Sequence, residues 1–317
     1  MSEQNKNVSA VEWEDIPAEK FEIIGTDDFS GDIIARPKVS YWADAWRRFR
    51  ENKIALVALI ILVIMVIMVI IGPGISGYNF EQMNTDEINQ LPSAEHWFGT
   101  DDLGRDLFAR VLYGGRISLL CSFAIIGIAF VVGALIGGAA GFFGGKVDSF
   151  LMRIVDILMA VPSSLLAMAI ITAMGNGVWK LVVALAISQV ARFARIVRSS
   201  VLTLRNVEFV EAAKCYGCSS LRIILKHILP NGIGPIIVSA TLCLGQTILS
   251  ISSMGYLGLG VASPTPEWGT IISENKINIQ AYPYLGLIPG ICICLTVMAV
   301  NFIGDGLRDA FDPRTKK

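Results

Sequence analysis

The sequence predicts an all-α membrane protein with six transmembrane helices and both termini on one face of the bilayer. Three observations carry this. Of the 317 residues, 53% are hydrophobic and 17% are charged, against about 25% charged in soluble domains. Apolar runs recur at the length of a membrane crossing, roughly 20 helical residues for a ~30 Å hydrocarbon core. Lysine and arginine collect in alternate connections, the pattern that marks cytoplasmic loops. The formal net charge of −1 supplies no basic field, which excludes nucleic acid as a partner.

The elements follow in order. Met1 to Ser40 is polar and acid-rich with no apolar signal-peptide core, so a cytoplasmic tail is expected. In "YWADAWRRFRENK", Trp42, Trp46, Phe49 and Lys53 recur at helical spacing, as in an interfacial helix that anchors the first span. That span is Ile54 to Ile71, 18 uncharged residues, with Gly72-Pro73-Gly74 expected to stop it. The second runs from Ile117 to Phe143. Its glycines 133, 137, 141 and 145 fall on every fourth position, a spacing that lets helix backbones approach closely. The third runs from Ile154 to Met174 with a kink at Pro162, the fourth from Val178 to Ala191, the fifth from Gly232 to Ser253 and the sixth from Tyr284 to Ile303.

Charge sets the orientation. Arg47, Arg48, Arg50 and Lys53 precede the first span. Arg192, Arg195, Arg198, Arg205, Lys214, Arg222 and Lys226 lie between the fourth and fifth, and Arg308, Arg314, Lys316 and Lys317 follow the sixth. The opposite connections hold few basic residues, Lys180 and Lys276 among them. The expected topology is N-in, C-in.

Enzymatic and metal-site readings find little. Cys215 and Cys218 form a C-x-x-C, but a structural zinc site needs four ligands, no second pair exists, and the chain has 2 His. The two cysteines read as small side chains beside Gly217. G-x-S-x-G and H-E-x-x-H are absent. Gly304-Asp305-Gly306 reads as the cap of the last helix. Without G-x-x-x-x-G-K-[ST] the chain has no phosphate loop, so an energy source must be a partner. No cofactor or metal is expected. Asp101, Asp102 and Asp106 lack calcium-loop spacing. They read as a turn into an amphipathic helix carrying Leu103, Leu107 and Val111. Arg153 and Asp156 are spaced for a local ion pair. Arg192, Arg195 and Arg198 are placed to reach the inner headgroups. Ser188 and Gln189 sit deeper, either hydrogen-bonding across helices or lining a path. With Ser163 and Ser164 they are the candidates for a translocation pathway.

Between Arg205 and Asn231 the pattern is a helical hairpin. "NVEFVEAAKCY" is amphipathic, Gly217 can take φ > 0 and end it, and Ser219 or Ser220 can cap the following "LRIILKHIL". Two spans can be joined by less. A structured loop here is therefore a docking element that lays a helix into a partner's groove.

At these residues the sequence resembles the permeases of ABC importers. "EAAKCYG" followed by "HILPN" is similar to their EAA loop, E-A-A-x3-G-x9-I-x-L-P, with Glu211, Ala212, Ala213, Gly217, Leu229 and Pro230 in register and His227 in place of Ile. The H-I-L-P-N form, "FGTDDLGRDLFARVLYGGRISL", "GGKVDSFLMRIVDILMAVPSSLL", "SMGYLGLGVASPTPEWGTII" and "NFIGDGLRDAFDPR" resemble the dipeptide/oligopeptide group, C-type subunit, over Tyr41 to Arg314.

The resemblance implies a type I ABC importer fold. It divides the chain into a cytoplasmic tail with interfacial helix (1–53), a first transmembrane helix (54–73), an extracytoplasmic loop (74–112), a type-1 transmembrane domain (113–307) with its EAA loop (205–231), and a C-terminal tail (308–317). It implies a second permease as heterodimer partner, two ATP-binding subunits, an external substrate-binding protein and the lipid bilayer. The EAA residues would couple ATP hydrolysis to rocking of the spans. Di- or oligopeptides would be the cargo, with nickel chelates or glutathione as alternatives. An intramembrane enzyme or scaffold is the remote alternative.

Overall fold

The computed structural model describes residues 41–311, so the opening tail and the basic end from Arg314 lie outside the described residues. Helix α1 (Tyr41–Glu51) exposes Trp42 and Trp46 and buries Ala45 and Phe49. Asn52 caps α2 (Lys53–Ile75) by accepting from the Ala55 amide at 3.2 Å.

The helix does not stop at Gly72-Pro73-Gly74, as expected from the sequence, but carries Pro73 inside it. Proline has no N–H for the carbonyl four residues back, which is that of Val69. The Arg116 guanidinium takes over, donating to Val69 O at 2.7 Å and also to Ile70 O.

Helix α3 (Leu107–Phe143) is 37 residues long, about 55 Å at 1.5 Å per residue. The predicted amphipathic helix and second span are thus one helix that overshoots a ~30 Å core. Asp106 caps it, accepting from the Ala109 amide at 2.7 Å.

The glycine spacing works as expected for three of its four positions. A Cβ on Gly133 would stand 2.6 Å from Phe193 Cβ, one on Gly141 2.9 Å from Val201 Cβ, and one on Gly137 would strike the Ala194 carbonyl. All three neighbours belong to α6 (Val178–Leu204), the helix most extensively packed on α3. Gly145 lies beyond the α3 cap with open space around it.

The expected third span is two helices, α4 (Gly145–Ala160) and α5 (Ser163–Met174), bent by 87°. Pro162 forces its predecessor out of the helical region, and Val161 is extended at φ −92°, ψ 130°. The expected Arg153–Asp156 pair does not form. Asp156 instead binds Arg195 of α6 at 2.7 Å, and Asp148 accepts from Arg198 Nε and Nη2 at 2.5 and 2.6 Å. Two of the arginines expected at the headgroups therefore hold α4 on α6.

After α6 come α7 (Glu208–Cys215), α8 (Ser220–Ile223), a π turn at Ile224–Ile228, α9 (Leu229–Asn231) and α10 (Ile233–Tyr256). The chain then folds back through α11 (Trp268–Glu274) to α12 (Tyr284–Phe311). Gly304 and Gly306, expected as a helix end, lie inside α12. There they admit Leu242 of α10 and the Ala55–Phe49 surface of α1 and α2. Trp42 meets Phe311 edge-on at 5.8 Å, which puts α1 beside the end of α12.

Among the described residues, four helices are long and apolar enough to cross a membrane: α2, α3, α10 and α12. The bent pair α4–α5 makes up to five. Helix α6 has 27 residues but carries Lys180, Arg192, Arg195 and Arg198.

Candidate functional site

The hairpin builds from helix α7 outward. Val210 and Ala213 are buried against α3 and α6, joined by Ile223, Ile224 and Ile228 from the second arm. Lys214 lies over the Phe142 ring at 5.8 Å. Gly217 has φ +71°, and the Cys218 amide reaches back to Ala213 O at 3.1 Å and the Gly217 amide to Lys214 O at 2.9 Å. This is the left-handed helix end that glycine accepts without steric cost.

Ser219 occupies the next cap position without a side-chain hydrogen bond. The second arm widens into its π turn just ahead of Pro230, where a regular turn would need the N–H that proline lacks. The Asn231 side-chain amide donates to His227 O at 2.6 Å.

The outer face presents Glu211, Ala212, Gly217 and Pro230, with exposed Tyr216, Leu221 and Leu225 around them. Ala213 is buried and Leu229 half-buried. Cys215 is exposed and Cys218 half-buried, both as free thiols. Inward, the hairpin is tied to the core by aliphatic side chains. Outward, it offers an aromatic and aliphatic ridge next to a carboxylate, a surface suited to a groove on another protein.

Ser163 and Ser164 of α5 and Ser188 and Gln189 of α6 line one cavity of about 360 Å³, closed on its other side by α10 with Gln246, Thr247, Ser250 and Ser253. Arg192 also lines it. Gln189 donates to Thr247 Oγ1 at 3.2 Å, and that hydroxyl in turn donates to Cys243 O at 2.7 Å. Gln189 Oε1 and Ser188 Oγ are buried without a hydrogen-bond partner among the described residues.

On the far end of α3, buried charge closes the connections between helices. Asp101 accepts from Arg105 Nε at 2.7 Å, and Glu274 accepts from Arg105 at 2.9 Å and from Arg110 at 2.6 Å. His96 bridges Asp106 at 2.9 Å and Glu87 at 3.3 Å. Burial works against its charged form, yet these two carboxylates outweigh burial and raise its pKa above the ordinary histidine value. Asp101 and Asp106 are therefore committed to the fold. Glu267 caps α11 through the amides of Gly269 and Thr270 and also accepts from Ser118 and Ser252. Complete burial pushes its pKa up while these donors pull it down, with burial ahead.

Comparison with known proteins gives this geometry its context. Residues 105–317 match the family model described as "Binding-protein-dependent transport system inner membrane component", and residues 40–92 match "N-terminal TM domain of oligopeptide transport permease C". The chain belongs to this family. It is an ABC-transport permease and a bacterial inner-membrane component.

The permease is 45% identical over 278 residues to the dipeptide transport system permease protein DppC of Alkalihalophilus pseudofirmus, covering 88% of this chain and 91% of the relative. It is 40% identical over 304 residues to the oligopeptide transport system permease protein OppC of Bacillus subtilis, covering 96% and 100%. It is also 40% identical over 276 residues to the glutathione transport system permease protein GsiD of Escherichia coli, covering 87% and 91%. Among solved structures, a chain of the inward-facing MetNI methionine ABC transporter shares the fold with TM-score 0.52 at 20% identity, over 63% of the permease and 96% of that chain.

The two sets of residues singled out from the permease sequence thus fall at two separate places. Glu211, Ala212, Ala213, Gly217, Leu229 and Pro230 gather on the hairpin, while Ser163, Ser164, Ser188 and Gln189 gather on the cavity. Sequence reasoning missed the α10 wall and assigned Arg192 to the headgroups. A signal was present, because Gln246, Ser250 and Ser253 are spaced i, i+4, i+7 within an otherwise apolar span.

Proposed function

We propose that this permease imports di- or oligopeptides as one of two paired permeases, with two ATP-binding subunits, one of them docked on the α7–α9 hairpin, and an external binding protein delivering cargo. The observation that carries the coupling role is the hairpin's two-sided build. Its inner face is packed on α3 and α6, so a push on its outer face moves α6, which lines the cavity. In this reading the chain crosses the membrane six times, N-in and C-in, with α6 as the charged fourth span and the bent α4–α5 pair as the third. The packing of α1 beside the end of α12 supports termini on one side. The domain limits are those set out from the sequence, with residues 205–231 as the coupling loop. Ser163, Ser164, Ser188 and Gln189 line the route.

The relatives that transport dipeptides and oligopeptides support peptide cargo. The glutathione permease, similar at 40% identity, favours a second reading in which the cargo is that one modified tripeptide. Reconstitution of the complete transporter in proteoliposomes decides between them. ATP-dependent uptake of a labelled dipeptide is expected; uptake confined to glutathione would replace the first reading with the second.

A further inference from the structure

We propose that the cavity between α5, α6 and α10 is a carboxylate-binding subsite, in which Arg192 takes the C-terminal carboxylate of a short peptide and Gln189 Oε1 takes an amide N–H of its backbone. The inference rests on the peptide-import reading above and names the chemistry by which that site holds its cargo.

Charge comes first. Among the described residues lining the cavity none is acidic, and Arg192 brings a full positive charge. The next two arginines on the same helix face are committed, Arg195 to Asp156 and Arg198 to Asp148. The contact recorded for Arg192 is a weak one, 3.9 Å to Cys243 Sγ. A guanidinium has five donors in a planar fork that matches a carboxylate.

The second observation is the start of α5. Ser163 and Ser164 are its first residues and both line the cavity, while the capping position is Pro162, which supplies no side-chain acceptor. The first N–H groups of a helix have no acceptor within it, and that end carries the positive pole of the dipole.

The third observation fixes a directional acceptor. Gln189 is 8% exposed. The Thr247 hydroxyl spends its proton on Cys243 O, so towards Gln189 it can only accept. That places the Gln189 nitrogen on Thr247 and leaves Oε1 without a donor. A buried unpaired acceptor is costly, and a peptide N–H is a donor that would satisfy it. Gln189 and Arg192 are i and i+3 on α6, neighbours on one face. The cavity of about 360 Å³ falls within the range of small-ligand sites.

The test uses the complete transporter, with this chain, its partner permease, the ATPases and the binding protein, in proteoliposomes. Uptake of labelled Ala-Phe is compared with that of Ala-Phe amide, each at a concentration saturating the binding protein, for wild type, Arg192→Gln, Arg192→Lys and Gln189→Leu. Because the binding protein is the same throughout, a changed acid-to-amide ratio arises in the membrane subunits. Arg192→Gln is expected to lower uptake of the free acid about tenfold, the loss of one charge-assisted carboxylate contact, with the amide within about twofold of wild type and Arg192→Lys in between. Gln189→Leu is expected to lower both ligands equally. Equal loss of acid and amide in Arg192→Gln, or an unchanged ratio, overturns the subsite while leaving peptide import standing. Wild-type vesicles that import neither ligand would sink both.

Discussion

The carboxylate of Glu267 accepts the Ser118 hydroxyl proton at 2.9 Å and the Ser252 hydroxyl proton at 3.3 Å, joining α3 and α10 through the first residue before α11. Its other oxygen caps α11. Glu267→Ala strands these buried donors and should cost about 2–3 kcal/mol. Burial raises its pKa, and Glu267→Gln, which keeps one acceptor oxygen for the α11 amides, should lose less than Glu267→Ala. The sign follows: a raised carboxyl pKa contributes stability below the unfolded value of about 4.3 that is lost as pH rises through the folded value. Thermal unfolding of the detergent-solubilised permease checks both variants.

His96 gives a second pH handle. Its raised pKa means that the charged ring stabilises the fold fully below about pH 6.5, with the contribution lost as pH rises through the folded pKa. Melting temperatures between pH 6 and 9 should fall more steeply in wild type than in His96→Gln. Parallel curves would contradict the role given to Asp106 and Glu87.

Gly137 sets the distance between α3 and α6. In Gly137→Ala the added carbon meets the backbone of α6 rather than a movable side chain, so the pair must part, at a cost of about 1–3 kcal/mol. Gly127→Ala on the same helix meets nothing within 4 Å and should be neutral or slightly stabilising. Yield and melting temperature of the two variants make the comparison.

Cys215→Ala/Cys218→Ala should transport normally, because neither thiol occupies a position that the hairpin needs. Loss of uptake with assembly intact would reopen a redox or metal reading.

How legible this was depended on the kind of signal. The all-helical class, the glycine contacts of Gly133, Gly137 and Gly141, and the helix-ending Gly217 could be read from the sequence, because each rests on local periodicity or backbone conformation. Helix limits were harder. Apolarity marks the part of a helix in lipid, so it hid the continuity of the amphipathic helix before Ile117 with the second span and the end of α6 beyond Ala191. Pro73 looked like a stop because Arg116, 47 residues along the chain from the Val69 carbonyl it satisfies, supplies what proline removes. Asp156 looked paired with Arg153 because spacing along one helix is visible in a sequence and the approach of α6 is not. The polar cavity needed three helices to converge, so only the residues nearest an obvious polar break were noticed.

The central claim is that the α7–α9 hairpin transmits ATP hydrolysis to the helices around the cavity. The most direct measurement is ATP hydrolysis and peptide uptake recorded together, in the same proteoliposomes, for wild type, Glu211→Ala and Gly217→Pro. Proline cannot take the φ of +71° found at Gly217, and Glu211→Ala removes the carboxylate from the exposed ridge. Both variants should insert and assemble while uptake per ATP hydrolysed falls about tenfold or more. Uptake per ATP equal to wild type in both would contradict the account.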